Sequence, residues 1–344
     1  MKAMTVVPGQ AGSAAVTEFD EPVGEGEVLV HGLAVGICGT DVEIVSGQYG
    51  TPPEGADRLV LGHESVGRVI DAPPNCGLAA GDLVVGIVRR PDPVPCEACA
   101  VGAWDRCRNG RYTERGITGL HGYGAEQWRV EPGFAVPVPD RLGELAVLVE
   151  PASVVAKAWE HIERIVASMP FTARTVLVTG AGPIGLLAAL FAVQRGLEVR
   201  VFDRVTEGPK PRLVADLGAA YHTGPVEDLP PADIVVECTG APAVVIDAIR
   251  GNARCGVTCL TGVSSGGRTL ELDVGATNRR IVLENDVVFG SVNANRAHYE
   301  AAAAAIDSAD RDWLTRLVTR RVPLESWTEG LSRRVDDVKV VIQI

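Results

Sequence analysis

A chain of 344 residues is long enough for two domains with separate cores. Its composition, 46% hydrophobic and 22% charged, is that of a globular protein, and no apolar run reaches the roughly 20 residues of a membrane span. Acidic residues outnumber basic ones by 44 to 32, and the net charge of −12 argues against a nucleic-acid partner, which needs a basic face.

Residues 1–7 read as a first strand, without the layout of an export signal, so a cytoplasmic protein is expected. The eight cysteines are then expected to be thiols or metal ligands, with Cys76, Cys238, Cys255 and Cys259 in the core. Up to about residue 150 the chain is a series of short β-type runs, such as 27–31, 66–70 and 82–85, broken by Gly and Pro. That texture predicts a compact barrel-like β domain. At Glu150-Pro151 it changes to a helix over 152–167, with Pro in its first turn. Strands at 174–179, 198–202 and 233–237 then alternate with helical stretches, including 184–195 closed by Gly196. Such alternation predicts a doubly wound parallel sheet, an α/β fold. An Ala-rich helix at 297–307 and a strand at 338–342 close the chain.

Gly180-Ala-Gly182-Pro183-Ile184-Gly185 follows a predicted strand, opens a helix, and has Asp203 placed 23 residues after Gly180. In that context the glycines mark a dinucleotide site: a tight turn, close approach of a pyrophosphate, and free amides at a helix N-terminus. Asp203 is expected to accept hydrogen bonds from the adenosine ribose and to repel a 2′-phosphate. Arg204, Lys210 and Arg212 put cations close by, so NAD is the first expectation and NADP the second.

Ahead of this motif stand Cys38-Gly-Thr40-Asp41, Gly62-His63-Glu64 and Glu150. A thiolate, an imidazole and carboxylates are zinc donors, and a catalytic zinc takes about three of them and leaves a position open. Each alone has a plainer explanation: a small buried cysteine, a satisfied core histidine, an acid at a helix start. In this order, before a nicotinamide-type site, they describe oxidation of a hydroxyl group.

At these residues the chain resembles the zinc-containing medium-chain alcohol dehydrogenases and, within them, the glucose dehydrogenase branch. The closer likeness lies in Cys38–Asp41, Leu61–Glu64, Val88-Arg-Arg-Pro91, Glu114-Arg-Gly-Ile117, Glu150-Pro151 and Gly290-Ser-Val-Asn293. The resemblance implies a GroES-like β-barrel catalytic domain at 1–151 and 298–344, and a Rossmann domain at 152–297. It implies a catalytic zinc on Cys38 and His63, with Glu64 and Glu150 as direct, water-mediated or alternating ligands. Thr40 would relay the departing proton. Glu114, Glu150 and Asn293 would contact the sugar, and Asn293 would also lie beside the cofactor. The branch often carries a polar side chain where this chain has Val88.

Cys96, Cys99 and Cys107 resemble a structural-zinc lobe whose first ligand position falls here at Pro93. Asp92 is adjacent and could supply an oxygen; a bound zinc and a lobe of free thiols are both compatible with the sequence.

The expected protein is a zinc-dependent NAD(P) oxidoreductase acting on a small-molecule sugar, first D-glucose at C1 to the lactone, second a cyclitol, aminosugar or other polyol. A dinucleotide-binding redox sensor is the non-enzymatic alternative. No nucleic acid or membrane partner is expected, and the assembly would be a homodimer or homotetramer.

Overall fold

The computed structural model describes residues 1–20, 24–264 and 269–344. They form two compact units, one of Met1–Ser153 with Asn293–Ile344, the other of Val154–Val292.

The first unit is built on a sheet whose spine is the ten-residue strand Val28–Ile37. Its first half alternates buried with less buried residues. Its second half is buried nearly throughout, so both faces of the strand are covered there. Glu64–Asp71 pairs antiparallel along one edge, with Gly36 opposite Glu64. Lys339–Gln343 pairs antiparallel along the other, with Ile37 opposite Val340. Three stretches distant in sequence (37–38, 63–64 and 339) therefore end together at one end of three adjacent strands. A core containing Met4, Ile44, Leu59, Leu61, Trp327 and Ile342 packs against this sheet. Each buried Leu, Ile or Met there contributes about 1.5–3 kcal/mol relative to exposure.

Among the described residues the second unit holds a sheet of six parallel strands. In spatial order they are Ala220–His222, Glu198–Phe202, Thr175–Thr179, Ala232–Glu237, Asn252–Leu260 and Val287–Gly290. This is the order of a Rossmann sheet, with the reversal between Thr175–Thr179 and Ala232–Glu237. The crossover helix Pro183–Gln194 is buried over Gly185–Ala192, since it is apolar on all sides.

Two expectations are corrected. The helix expected from residue 152 spans Val149–Val166, so Glu150 and Pro151 belong to its first turn. The first-turn amides have no helical partner, so proline loses nothing there. Of the four cysteines assigned to the core only Cys259 is buried; Cys76, Cys238 and Cys255 are half-buried. Cys255 sits at φ +57, in a kinked stretch of its strand. No helix among the described residues is long and apolar enough to cross a membrane.

Candidate functional site

Cys38 leaves the central strand and caps the helix Gly39–Val45. Its Sγ accepts the Thr40 amide at 3.3 Å, and Asp41 accepts the Cys38 amide at 2.9 Å. This reciprocal cap fixes both side chains. His63 Nε2 lies 3.0 Å from Cys38 Sγ, and its Nδ1 lies 3.5 Å from Asp41 Oδ1. One ring nitrogen thus faces the thiol and the other a buried carboxylate, the arrangement that orients a metal-ligating histidine. Cys38, Asp41 and His63 form a group able to hold a metal ion, with donor atoms within 4.8 Å of one another. Burial alone would lower the affinity of His63 for a proton. Cys38, Asp41 and Glu150 more than reverse this and hold it well above the usual histidine range.

Glu64 is buried and pairs through Oε2 with Lys339, which is 1% exposed and also donates to the Ile37 carbonyl at 3.0 Å. Gly36 makes room for the pair, since a Cβ there would stand 2.1 Å from Glu64 Oε2. Burial, and then the neighbouring Glu64 carboxylate, push Glu150 up to about 7. Cys38, His63, Glu64 and Glu150 are thus brought into one neighbourhood. Thr40 is half-buried beside them.

Glu114 lies opposite Arg89 in a small antiparallel pair. Its Oε1 accepts from Arg89 Nε at 3.1 Å, Arg89 Nη2 at 2.9 Å and Asn293 Nδ2 at 2.7 Å. The Arg89 guanidinium stacks 3.6 Å from the Tyr112 ring centroid. Asn293 adopts φ +63, a conformation asparagine tolerates better than most residues. Glu114 and Asn293 are therefore in contact, and all three of these donors fall on Oε1. Val88 belongs to the hydrophobic core and offers no polar side chain.

In the second lobe the sulfurs of Cys96, Cys99 and Cys107 form a group with metal-ligand spacing. Asp92 is not among them. Its carboxylate accepts from Val94 N at 2.8 Å, Asn109 Nδ2 at 2.8 Å and Arg111 Nε at 3.2 Å. The Arg108 amide on its sulfur, then the Cys99 amide, pull Cys96 down to about 6, whereas burial pushes Cys99 up.

The loop Gly180–Gly182 joins the strand Thr175–Thr179 to the helix Pro183–Gln194. Gly180 has φ +93, Gly182 faces open space, and a Cβ on Gly185 would stand 1.7 Å from the Gly180 carbonyl. Turn, open approach and strand–helix contact are the three tasks of a dinucleotide loop. Pro183 and Ile184 begin the helix, whose N-terminus has no side-chain cap and so keeps amides for an anion. Arg204 is exposed. The Asp203 carboxylate accepts from Ala181 N, Val205 N and Lys210 Nζ.

Asp41 and Lys339 were not singled out from the sequence. Asp41 stands three residues after Cys38, the spacing of a capping box. Lys339 is a lone cation in the apolar run Val338–Ile342, a sign of a buried partner.

A GroES-like unit bearing such a donor cluster, together with a Rossmann sheet, defines a medium-chain dehydrogenase of the alcohol dehydrogenase type. Residues 24–140 match the family model "Alcohol dehydrogenase GroES-like domain", and residues 143–344 match "Glucose dehydrogenase C-terminus". Glucose 1-dehydrogenase of Methanocella arvoryzae is 42% identical, over 100% of this chain and 99% of that protein. Glucose 1-dehydrogenase of Thermoproteus tenax is 40% identical over the same shares. The structure of Haloferax mediterranei glucose dehydrogenase in complex with NADP, Zn and gluconolactone matches with a TM-score of 0.92 at 35% identity, covering 100% of this chain and 99% of that one. The chain belongs to the glucose dehydrogenase family.

Proposed function

We propose that this chain is a zinc-dependent NAD(P) oxidoreductase that oxidises D-glucose at its anomeric hydroxyl to the lactone. The first unit is assigned the catalytic role and the second the cofactor-binding role. The observation that carries the reading is the Cys38–His63 pair at 3.0 Å, backed by Asp41 and accompanied by Glu64 and Glu150. The donor set fits zinc. Asp41 Oδ1 and His63 Nδ1 are buried without a hydrogen-bond partner, and a bound cation would offset the negative charge gathered around them.

Zinc, when bound, lowers the pKa of a coordinated hydroxyl, and a nicotinamide accepts the hydride. Cys38 and His63 would hold the metal, with Glu64 and Glu150 as further ligands. Asp41 keeps the imidazole in its ligating orientation. The Thr40 hydroxyl would receive the departing proton. Glu114 and Asn293 would bind ring hydroxyls, since vicinal hydroxyls both donate and accept. Val88 in the core removes one hydrogen-bonding position and favours, as a second reading, a cyclitol or aminosugar. For the second lobe we keep Cys96, Cys99 and Cys107 as a structural zinc site completed by a donor other than Asp92. Eight free cysteines suit a reducing cytoplasm, and a homodimer or homotetramer is the assembly we infer.

The test uses two substrates. Glu114→Gln should lower kcat/KM for glucose by about tenfold or more, the effect of losing a charged hydrogen-bond partner. Benzyl alcohol, with no second hydroxyl, should be turned over as before. Because Glu114 also neutralises the buried Arg89, the melting temperature is measured alongside. Equal losses on both substrates would mean that Glu114 supports the fold or the metal, and would contradict the sugar assignment.

A further inference from the structure

Asp105 belongs to the short helical turn Trp104–Arg106 of the cysteine lobe, two residues before Cys107. An acid in a polar loop normally faces water, yet the side chain of Asp105 is fully buried. Its Oδ1 accepts from Asn295 Nδ2 at 2.9 Å, and its main-chain carbonyl accepts from Arg89 Nη1 at 3.4 Å. Burying a carboxylate is costly unless it is hydrogen-bonded, so these partners account for its place.

Both partners lead to Glu114. Arg89 also donates through Nε and Nη2 to Glu114 Oε1. Asn295 stands two residues after Asn293, whose Nδ2 donates to the same oxygen at 2.7 Å and whose Oδ1 accepts the Ala294 amide at 2.8 Å. Asp105, Arg89, Glu114 and the segment 293–295 therefore close a circuit of hydrogen bonds and main chain, all within the first unit. Two acids clamp the segment: Glu114 holds its first residue and Asp105 its last. Asn293 needs such a clamp, because its φ of +63 persists only where the surroundings enforce it. Asn295 is a firm handle, being the N-cap of the helix Arg296–Asp307. Its Oδ1 accepts from His298 N at 3.4 Å, which turns Nδ2 toward Asp105.

We propose that Asp105 is a positioning residue for the sugar: it holds Asn295 through its side chain and Arg89 through its carbonyl, and so fixes Asn293 and Glu114 against the ring hydroxyls. A residue of the cysteine lobe thereby sets the affinity for a polyhydroxylated ring without touching it. The proposal rests on the reading of Glu114 and Asn293 as sugar contacts. It gives the circuit a part in binding the ring and none in hydride transfer, so KM for glucose should respond and kcat should not.

The test is a donor swap on the full-length enzyme, read as kcat and KM for glucose and kcat/KM for benzyl alcohol, with melting temperature and zinc content alongside. Asn295→Asp keeps a good helix cap but sets a carboxylate oxygen against Asp105 where Nδ2 now donates. It should raise KM for glucose about fivefold or more, leave kcat within about twofold, and spare benzyl alcohol. Adding Asp105→Asn exchanges donor and acceptor and should bring KM for glucose back. Asn295→Ser also caps a helix but offers Asp105 no amide. It should raise KM in the same direction, and it replaces Asn295→Asp if that variant does not fold. A wild-type KM in both Asn295 variants overturns the proposal. So does a loss that the swap leaves unrepaired, or an equal loss on both substrates, since Asp105 would then only support the fold. Glu114→Gln checks the underlying reading separately: if it leaves glucose oxidation intact, Glu114 is no sugar contact, and that reading falls and takes the proposal with it. A response to Glu114→Gln without one to the Asn295 variants overturns the role of Asp105 alone.

Discussion

His63→Ala is expected to lose nearly all sugar oxidation, about a thousandfold or more, because Lewis-acid activation by a metal is worth several kcal/mol and each decade of rate is about 1.4 kcal/mol. His63 presents Nε2 to Cys38 and Nδ1 to Asp41, so the substitution removes a ligand and leaves the Cys38 sulfur and a buried carboxylate facing a cavity. Zinc retained after gel filtration, measured by mass spectrometry, should fall with the activity. NAD and NADP binding should persist, because the Gly180–Gly185 loop belongs to the other unit. A His63→Ala protein with ordinary turnover would contradict the metal mechanism.

The second large effect concerns stability. Lys339→Met keeps the length of the side chain but leaves Glu64 buried without its cation. Breaking a buried pair by removing one partner costs about 3–5 kcal/mol, because the remaining charge is uncompensated. Urea unfolding of metal-free protein should show a loss of that size. Adding Glu64→Gln should recover most of it, since no unpaired charge is then left. A loss below about 1 kcal/mol, the scale of an exposed ion pair, would mean that solvent reaches Glu64 and Lys339.

Much of this was readable in the chain. The alternation after residue 174 announced the parallel sheet, and the glycines at 180, 182 and 185 have the turn, the open space and the close strand–helix contact that their spacing suggested. Cys38, His63, Glu64 and Glu150, proposed as metal donors from their chemistry, lie in one neighbourhood. The partners of those residues were not readable. Lys339 meets Glu64 only because two strands flank the same central strand, a pairing set by the long-range register of the sheet. Three of the four lysines, Lys157, Lys210 and Lys339, prove to be buried, which their places in the sequence did not announce.

Asp203 shows the opposite problem. Its place in the motif was clear, but whether a carboxylate is free depends on what surrounds it, and the amides of Ala181 and Val205 with Lys210 are fixed by the fold. Glu114 is similar: an acid that looks like a surface charge in sequence is buried against Arg89 and Asn293.

The central claim, hydride removal from the anomeric carbon of glucose, is tested most directly by isotopic labelling. Glucose carrying deuterium at C1 is incubated with the enzyme and oxidised cofactor, and the reduced cofactor is weighed by mass spectrometry. The account predicts reduced cofactor one deuterium heavier, and unlabelled cofactor when the deuterium sits at C6 instead. Unlabelled cofactor from C1-deuterated glucose, formed at an ordinary rate, would place the oxidation at another carbon and contradict the assignment.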